Sequence, residues 1–260
     1  MNMRHLLIAS ILGLTALSAT AADLLDTVKQ RGTLKVALEG TYPPFNYKDN
    51  GQLTGFDVEI ASALAQKLGV KAEFTTTEWS GILAGLQAGK YDVIVNQVGI
   101  TPKRLEAFDF SDPYVISEAQ LVVRKNETRQ FKSLNDLKGA KLGVGQGTNY
   151  ADMARAVAGV DVKTYPGEQE YLQDLALGRV DAALNDTLMI PYLIKQTKLP
   201  LKAGAPVGDP SSNGIPFAKN NPKFKAALNK ALADIKADGT YGKISQKYFG
   251  RDVSKAPTIQ

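Results

Sequence analysis

The apolar positions along this chain fall into two spacings that alternate. Short apolar runs, typical of buried strands, occur at Leu34–Leu38, at Lys71–Phe74 and again at Asp92–Asn96. Between the first two runs, Asp57–Leu68 carries apolar residues at the three- and four-residue spacing of an amphipathic helix, and Gly69 follows it as a helix-ending residue. Strands that alternate with helices in this way predict an α/β fold.

The same order of elements returns in the second half of the chain. Leu86–Gln97 aligns with Leu175–Asp186, with Leu, Gly, Asp and Asn identical at matching positions. Each segment holds a helix end, a glycine, a basic residue and a strand, which indicates two similar lobes. Helix–glycine–strand units also resemble one another in unrelated α/β proteins, so the short match leaves that alternative open. The other predicted elements are strands at Leu121–Arg124, Lys141–Val144, Asp161–Tyr165 and Asp181–Leu184, and helices at Ile82–Ala88, Tyr150–Val157, Glu170–Leu177, Pro222–Lys236 and Tyr241–Phe249.

Polar residues follow the predicted strands in both lobes. Asn96 and Gln97 end one strand, Asn185 and Asp186 end its counterpart, and the Gly147–Thr148 turn ends a third. In open α/β sheets, ligands bind outside the carboxyl ends of the strands. Two lobes whose strand ends face each other would form a cleft, so we expect the ligand to bind between them.

The first 21 residues are typical of a secretory signal. Arg4 provides a basic start, Leu6–Leu17 is an apolar run of 12 residues, and Ala19-Thr20-Ala21 has the small-x-small pattern of a cleavage site. Cleavage after Ala22 fits the pattern nearly as well as cleavage after Ala21. A run of 12 residues is too short to span a bilayer, so we expect an exported protein located in the periplasm.

Composition excludes several classes of function. Lys and Arg total 31 against 26 Asp and Glu, a formal charge of +5, but the basic residues are scattered among acids, which argues against a nucleic-acid partner. The chain has no cysteine, and its single histidine, His5, lies in the predicted signal. Zinc, copper, haem and iron–sulfur sites would lack their usual ligands, and a Ser-His or Cys-His nucleophile would lack its base. We therefore expect no metal and no cofactor, and any catalysis would have to rest on carboxylates, Lys or Tyr.

Three residues near the strand ends could bind a zwitterion. Arg104 could hold a carboxylate in a bidentate pair, although a solvated arginine is equally common in such a position. Asp186 could accept from an ammonium group, or could cap a helix or a turn. Thr148 stands where a strand turns into a helix, and N–H groups there would favour an anion.

Aromatic and acidic side chains beside turns are further candidates. Tyr42 could present its ring to the cleft, and Trp79 could form a cleft wall or pack in the core. Glu39 ends the first strand and could face the cleft or water. Gly143–Gly147, with Glu168 about twenty residues further on, superficially resembles a dinucleotide fingerprint, but its third glycine is misplaced and we do not expect a nucleotide.

Several motifs together resemble a known family, the periplasmic solute-binding proteins of the polar amino-acid type (family 3), which serve ABC importers. The resemblance runs from about Leu25 to Val253, and its motifs lie at Leu38–Phe45, Leu53–Val58, Gly99–Arg104, Phe110–Tyr114, Asp136–Gly139, Val144–Thr148, Asp238–Tyr241 and Lys247–Phe249. Three segments are most similar to the cystine-binding branch: Leu38–Phe45, Asn96–Val98 and Gly147–Tyr150.

The resemblance implies a role for each matching residue. Arg104 and Thr148 would bind the ligand α-carboxylate, Asp186 the α-ammonium, Tyr42 would stack on the ligand, and Trp79 would form a wall. Glu39 matches the position that helps to choose the side chain in relatives that bind basic ligands. Many relatives have Ser or Thr where this chain has Gly99, so only a backbone N–H remains there. The full set of candidate ligand-binding residues is Glu39, Tyr42, Trp79, Asn96, Gln97, Gly99, Arg104, Gly147, Thr148, Asn149 and Asp186.

The resemblance also implies an architecture, a two-lobed periplasmic-binding-protein-like fold (type II). Each lobe would be a mixed, mostly parallel sheet flanked by helices, with the ligand cleft between the lobes. Residues 22–115 and 212–260 would form the first lobe and 116–211 the second, with hinge crossings near 115–120 and 209–213.

The expected function is that of an extracytoplasmic substrate-binding protein of an ABC importer, for which we expect no catalytic residue. It would bind a polar L-amino acid, cystine or a basic amino acid, with cystine favoured, and close around it. It would act as a monomer and deliver the ligand to an inner-membrane permease. The alternative is a periplasmic dehydratase that acts on prephenate or arogenate on the same scaffold, with Glu39 or Asp186 as its acid. A ligand-sensing receptor domain is a third class, and the pattern shows no membrane span or signalling module that would favour it.

Overall fold

A computed structural model of the chain describes residues 22–256. The predicted signal segment, residues 1–21, lies outside the described residues, which begin at Ala22. The two proposed cleavage positions, after Ala21 and after Ala22, fall at this boundary. The helices are α1 Leu24–Arg31, α2 Phe56–Lys67, α3 Trp79–Gln87, α4 Pro102–Ala107, α5 Asn149–Arg155, α6 Glu168–Ala176, α7 Ile190–Thr197, α8 Pro222–Ala237 and α9 Thr240–Phe249. The strands are β1 Thr33–Leu38, β2 Thr41–Tyr42, β3 Asn46–Asp49, β4 Gln52–Thr54, β5 Lys71–Thr76, β6 Val93–Ile94, β7 Val98–Gly99, β8 Phe108–Phe110, β9 Val115–Arg124, β10 Lys141–Gly145, β11 Asp161–Tyr165, β12 Ala182–Asp186, β13 Leu201–Gly214 and β14 Pro216–Ala218.

Two sheets organise the molecule into two lobes. The first sheet has the order β5-β1-β6-β14-β8, and we call the part of the molecule around it lobe 1. The second has the order β11-β10-β12-β9-β13-β7, and the part around β11, β10, β12 and most of β9 and β13 is lobe 2. β7 pairs only with Asn213 and Gly214 at the end of β13, and we count it with lobe 1. In each sheet the first three strands are parallel and the fourth is antiparallel to its neighbour. The α/β fold predicted from the sequence is confirmed, and the lobes share the order of strands that the internal match indicated.

The core of lobe 1 includes a cluster of aromatic rings. Phe56, the first residue of α2, packs edge-on against Phe45 and Tyr241 with ring centroids 6.0 and 5.9 Å apart, and all three side chains are buried. Gly55 precedes α2 with a φ of 125°, and a Cβ atom on it would lie 2.3 Å from the carbonyl oxygen of Phe45. Glycine is therefore what allows α2 to begin directly against the turn that carries Phe45.

Strands β9 and β13 connect the two lobes. They pair in antiparallel fashion from Val115 opposite Asn213 to Arg124 opposite Leu201, with register shifts between Val207 and Ser211 and between Ala203 and Pro206. Irregular pairing of this kind bends and twists a strand locally.

Every strand and helix predicted from the sequence overlaps an observed element, but two helix starts were predicted more than one residue late. α3 begins at Trp79 rather than at Ile82, and α6 begins at Glu168 rather than at Glu170. The residues left out of α6, Glu168 and Gln169, are polar, and those left out of α3 are Trp79, Ser80 and Gly81, of which only Trp79 has a large apolar side chain. Neither segment shows the repeated apolar spacing from which the helices were predicted. Among residues 22–256, no helix has the length and apolar character needed to cross a membrane.

Candidate functional site

The carboxyl ends of the strands of both lobes meet around one cavity. Lobe 1 lines it with Glu39, Tyr42, Trp79, Asn96 and Gln97. From lobe 2, the polar side chains that line it are Thr148, Asn149, Tyr150, Glu168, Tyr171 and Asn185. Seven of the eleven predicted site residues are therefore lining residues, whereas Gly99, Arg104, Gly147 and Asp186 lie outside the lining. All four nevertheless contact residues that line the cavity, or residues next to the lining.

Tyr42 joins the two lobes across the cavity. Its hydroxyl oxygen lies 3.1 Å from Oε1 of Gln97 in lobe 1 and 3.2 Å from Oδ1 of Asn185 in lobe 2, so its one hydrogen faces two amide oxygens. The ring stacks on Phe45 with centroids 5.5 Å apart, which fixes its direction from the core side. Tyr42, which was predicted from the sequence to present its ring to the cleft, is thus also a contact between the lobes.

Gln97 is held in an uncommon backbone conformation at the end of its strand. Its φ is 48°, in the left-handed region that residues other than glycine rarely adopt. The backbone N–H donates to the hydroxyl of Tyr114 at 2.8 Å, and Nε2 donates to Oγ of Ser117 at 3.1 Å. Strained residues fixed in this way by their surroundings cluster at binding sites.

Arg104 lies at one end of the cavity, behind Trp79. It is 8% exposed, and its guanidinium carbon lies 5.4 Å from the centroid of the Trp79 ring. Nη1 donates to the carbonyl of Gly99 at 2.9 Å, and Nη2 donates across the lobes to the carbonyl of Gly147 at 3.3 Å. Because these partners are carbonyl oxygens and not carboxylates, the positive charge is not neutralised by them.

The turn after β10 lies opposite Arg104. Gly147 has a φ of 74°, and Thr148 caps α5: its Oγ1 accepts from the N–H of Ala151 at 3.1 Å and donates to the carbonyl of Gly145 at 2.8 Å. The Thr148 hydroxyl is therefore occupied by the helix cap. Asn149 follows in the first turn of α5 and lies against Gly99, where a Cβ atom would come within 3.4 Å of its side chain.

Asp186 lies behind the wall of the cavity, at the end of β12. It is fully buried; its Oδ2 accepts hydrogen bonds from the hydroxyls of Ser117 and Tyr150, and its Oδ1 accepts from the N–H of Leu188 at 2.8 Å. Burial raises the pKa of this carboxyl, and the hydrogen bonds partly oppose the rise. Tyr150 lines the cavity and separates it from Asp186, a contact that sequence reasoning did not anticipate.

Glu39 lines the cavity from lobe 1 and is tied to a buried amide network. Asn96 donates from Nδ2 to Oε2 of Glu39 at 2.7 Å, while its Oδ1 accepts from Nδ2 of Asn46 at 2.9 Å. Asn46 also donates to Oδ2 of the buried Asp57 at 3.0 Å. Burial raises the pKa of Glu39 to about 8, and the nearby carboxyl of Glu168 adds to the rise.

Sequence reasoning missed four polar lining residues of lobe 2: Tyr150, Glu168, Tyr171 and Asn185. Asn185 donates to the Tyr171 hydroxyl, and both tyrosine hydroxyls have pKa values raised well above the usual range, mainly by burial. Burial also raises the pKa of Glu168 to about 7. Asn185 could have been found from its match to Asn96 in the internal alignment. Glu168 was noticed only as part of a rejected nucleotide motif.

The arrangement defines a class of protein. Two α/β lobes joined by extended strands, with a polar cavity enclosed between their strand ends, are the architecture of proteins that hold a small polar molecule by hinge closure. Residues 34–251 match the bacterial extracellular solute-binding proteins, family 3, and the chain belongs to that family.

Comparison with individual proteins agrees with this assignment. The L-cystine-binding protein TcyJ of Escherichia coli (strain K12) is 44% identical over 250 residues, covering 95% of this chain and 94% of the relative. A solved structure of an ancestral arginine-binding protein bound to arginine is 42% identical, with a TM-score of 0.80, covering 85% of this chain and 99% of that chain.

A third comparison bears on the alternative of an enzyme. The ancestral amino acid-binding protein AncCDT-1, a precursor of cyclohexadienyl dehydratase, is 36% identical in its crystal structure, with a TM-score of 0.80, covering 88% of this chain and all of that chain. This neighbour is itself described as a binding protein. The comparisons therefore support a solute-binding protein over the dehydratase alternative.

Proposed function

We propose that this protein is the periplasmic substrate-binding protein of an ABC importer for a polar L-amino acid, with L-cystine favoured. The observation that carries the proposal is the set of charged groups around the cavity: a buried arginine behind Trp79, the carboxyl groups of Glu39 and Glu168 in the lining, and the carboxyl group of Asp186 behind Tyr150. A zwitterionic amino acid presents one charge of each sign. The similarity to an L-cystine-binding protein supports the choice of ligand.

Arg104 is the proposed partner of the ligand α-carboxylate. Its guanidinium forms a hydrogen bond to Gly99 on its own side of the cleft, which orients it before the lobes close, and a second bond to Gly147 across the cleft. Gly99 and the Gly147–Thr148 turn would contribute backbone groups to the same carboxylate. The Thr148 side chain would act indirectly, because its hydroxyl is engaged in capping α5.

Asp186 is the proposed partner of the ligand α-ammonium. Reaching it requires that the ammonium replace one of the present hydroxyl donors, and Tyr150 is the donor that lines the cavity. An ammonium that donates to Asp186 would supply the opposite charge that the buried carboxyl lacks among its present partners, which are hydroxyl and N–H groups.

The lobe boundaries we propose follow from β9 and β13. Residues 22–115 and 212–256 form lobe 1 and residues 116–211 form lobe 2, with the hinges near 115–120 and 209–213. The pairing of Val115 with Asn213 at the start of these strands, and the register shift that ends at Ser211, support this placement. A ligand that contacts both lobes stabilises the closed form over the open one by its differential contacts.

Two further statements belong to the proposal. The protein acts as a monomer, and an inner-membrane permease recognises its closed form. Size-exclusion chromatography with light scattering, with and without cystine, tests the first statement: a dimer at micromolar concentration would contradict it.

Isothermal titration calorimetry on the refolded mature protein tests the ligand. Refolding removes amino acids that co-purify. We expect cystine to bind more tightly than arginine, lysine, histidine or glutamine. The absence of heat with all five amino acids would contradict the proposed function, and a clear preference for another of them would overturn the choice of cystine.

A further inference from the structure

Two carboxyl groups from opposite lobes line the same cavity. Glu39 follows β1 in lobe 1, and Glu168 is the first residue of α6 in lobe 2. Both side chains are partly buried. Among the described residues that line this cavity, they are the only charged ones, so no basic side chain shares the lining with them.

The two carboxyl groups influence each other. Burial is the main cause of the raised pKa of Glu39, and the carboxyl of Glu168 is the second. Glu78 and Asp57 add smaller effects of the same sign on Glu39, and Glu170 and Glu78 do so on Glu168. The groups that oppose these effects are neutral hydrogen-bond donors: the Asn96 amide for Glu39 and the backbone N–H of Glu168 for its own side chain. A place with two carboxyl groups and no cationic partner favours a positively charged guest.

We propose that Glu168 and Glu39 together form a subsite for the cationic group at the far end of the ligand, the second ammonium of cystine or the guanidinium of arginine. This inference rests on the proposed function and deepens it, because it assigns side-chain selection to a residue of lobe 2. Since the two carboxyl groups belong to different lobes, closure of the cleft without a cation makes them either repel each other or take up protons. A cation between them turns that repulsion into attraction, so closure depends on the charge of the ligand side chain.

The test compares Glu168→Gln with the wild-type protein and with a matched control, Glu170→Gln. Glu170 lies two residues further along α6 and is exposed. Calorimetry with cystine, arginine and glutamine should show that Glu168→Gln weakens binding of cystine and arginine at least tenfold. Glutamine, whose side chain is neutral, should change by less than about threefold. Glu170→Gln should leave all three affinities within that same margin.

Proton release on ligand binding is a second measurement, and it would not change if the role of Glu168 were only structural. A cation beside the pair lowers the pKa of both carboxyl groups, so arginine binding near pH 7.5 should release protons. The number released follows from the binding enthalpy in phosphate and in Tris, whose ionisation enthalpies differ. We expect the wild-type protein and Glu170→Gln to release the same number and Glu168→Gln to release fewer.

The outcomes separate this inference from the proposed function. If the wild-type protein binds none of the amino acids, both are wrong. If it binds cystine or arginine and Glu168→Gln binds them equally well, or loses glutamine to the same degree, the subsite is wrong and the function stands. A wild-type protein that prefers glutamine to both cationic ligands would also overturn the subsite.

Discussion

Arg104 is buried, yet no carboxylate among residues 22–256 forms a hydrogen bond with its guanidinium group. It is 8% exposed, and its two hydrogen bonds within the chain go to carbonyl oxygens. We predict that Arg104→Met lowers the affinity for the bound amino acid at least about 30-fold, because truncating one partner of a desolvated charge pair costs about 2–5 kcal/mol. Calorimetry with cystine measures the loss.

Lys103 provides the control for this prediction. It is the neighbouring cation, its side chain is 82% exposed, and it lies 3.8 Å from Asp152. Lys103→Met should change the affinity by less than about twofold, because exposed ion pairs contribute little. Equal effects of the two substitutions, or an Arg104→Met protein that still binds cystine within threefold of wild type, would contradict the assigned role of Arg104.

The site residues that could be predicted from the sequence each lie in a short motif or at the end of a strand. Arg104, Thr148 and Asp186 were named on that basis, and their side chains or backbones do lie around one cleft. What the sequence could not show is which partner each side chain already has. The Thr148 hydroxyl is engaged in a helix cap, and Asp186 is shielded by Tyr150, because tertiary contacts set these arrangements.

At the level of elements, the start of α2 depends on one glycine. A Cβ atom at Gly55 would lie 2.3 Å from a backbone oxygen, and its φ of 125° is one that other residues rarely adopt. We predict that Gly55→Ala lowers the free energy of unfolding by more than about 2 kcal/mol, because both the backbone strain and the clash with main-chain atoms must be relieved. Urea unfolding followed by circular dichroism measures the change.

Gly81 is the matched position for this experiment. It lies inside α3, and a Cβ atom on it would have no atom within 4 Å. Gly81→Ala should be neutral or stabilising by up to about 1 kcal/mol, because alanine is the better helix former. If Gly55→Ala were as well tolerated as Gly81→Ala, the close approach at α2 would not matter for stability.

Element prediction succeeded where apolar residues repeat and failed where they do not. α2 and β11 were placed within one residue at each end. The first two residues of α6 are polar and were assigned to a loop. Glu168 was therefore not predicted to lie on the helix that places it at the cavity. β13 was not predicted at all, since its 14 residues include Gly204, Pro206, Gly208 and Pro210, which usually mark turns.

For the molecule as a whole, the buried carboxyl groups make stability depend on pH. Burial raises the pKa of Asp57 to about 7 and that of Glu39 to about 8, whereas both groups ionise near pH 4 in an unfolded chain. Between these values the native state holds protons that the unfolded state releases. Without ligand, the free energy of unfolding should therefore decrease as the pH rises from about 5 to 8.

Asp57→Asn isolates the contribution of one fully buried carboxyl group to this slope. The substitution should reduce the difference in unfolding free energy between pH 5 and pH 8 by more than about 1 kcal/mol, because a neutral amide releases no proton on unfolding. Asp49→Asn, at an exposed position in β3, should leave the slope as it is in the wild-type protein. Urea unfolding at several pH values measures both, and an unchanged slope in Asp57→Asn would contradict the assignment.

The position of the only tryptophan in the chain has a practical consequence. Trp79 belongs to lobe 1, and the arginine that lies over its ring also reaches the carbonyl of Gly147 in lobe 2. The fluorescence of its indole should therefore change when the two lobes separate. Excitation at a wavelength that tyrosine does not absorb would report opening and closing directly, so the rate of gating could be followed by stopped-flow fluorescence without attaching a dye.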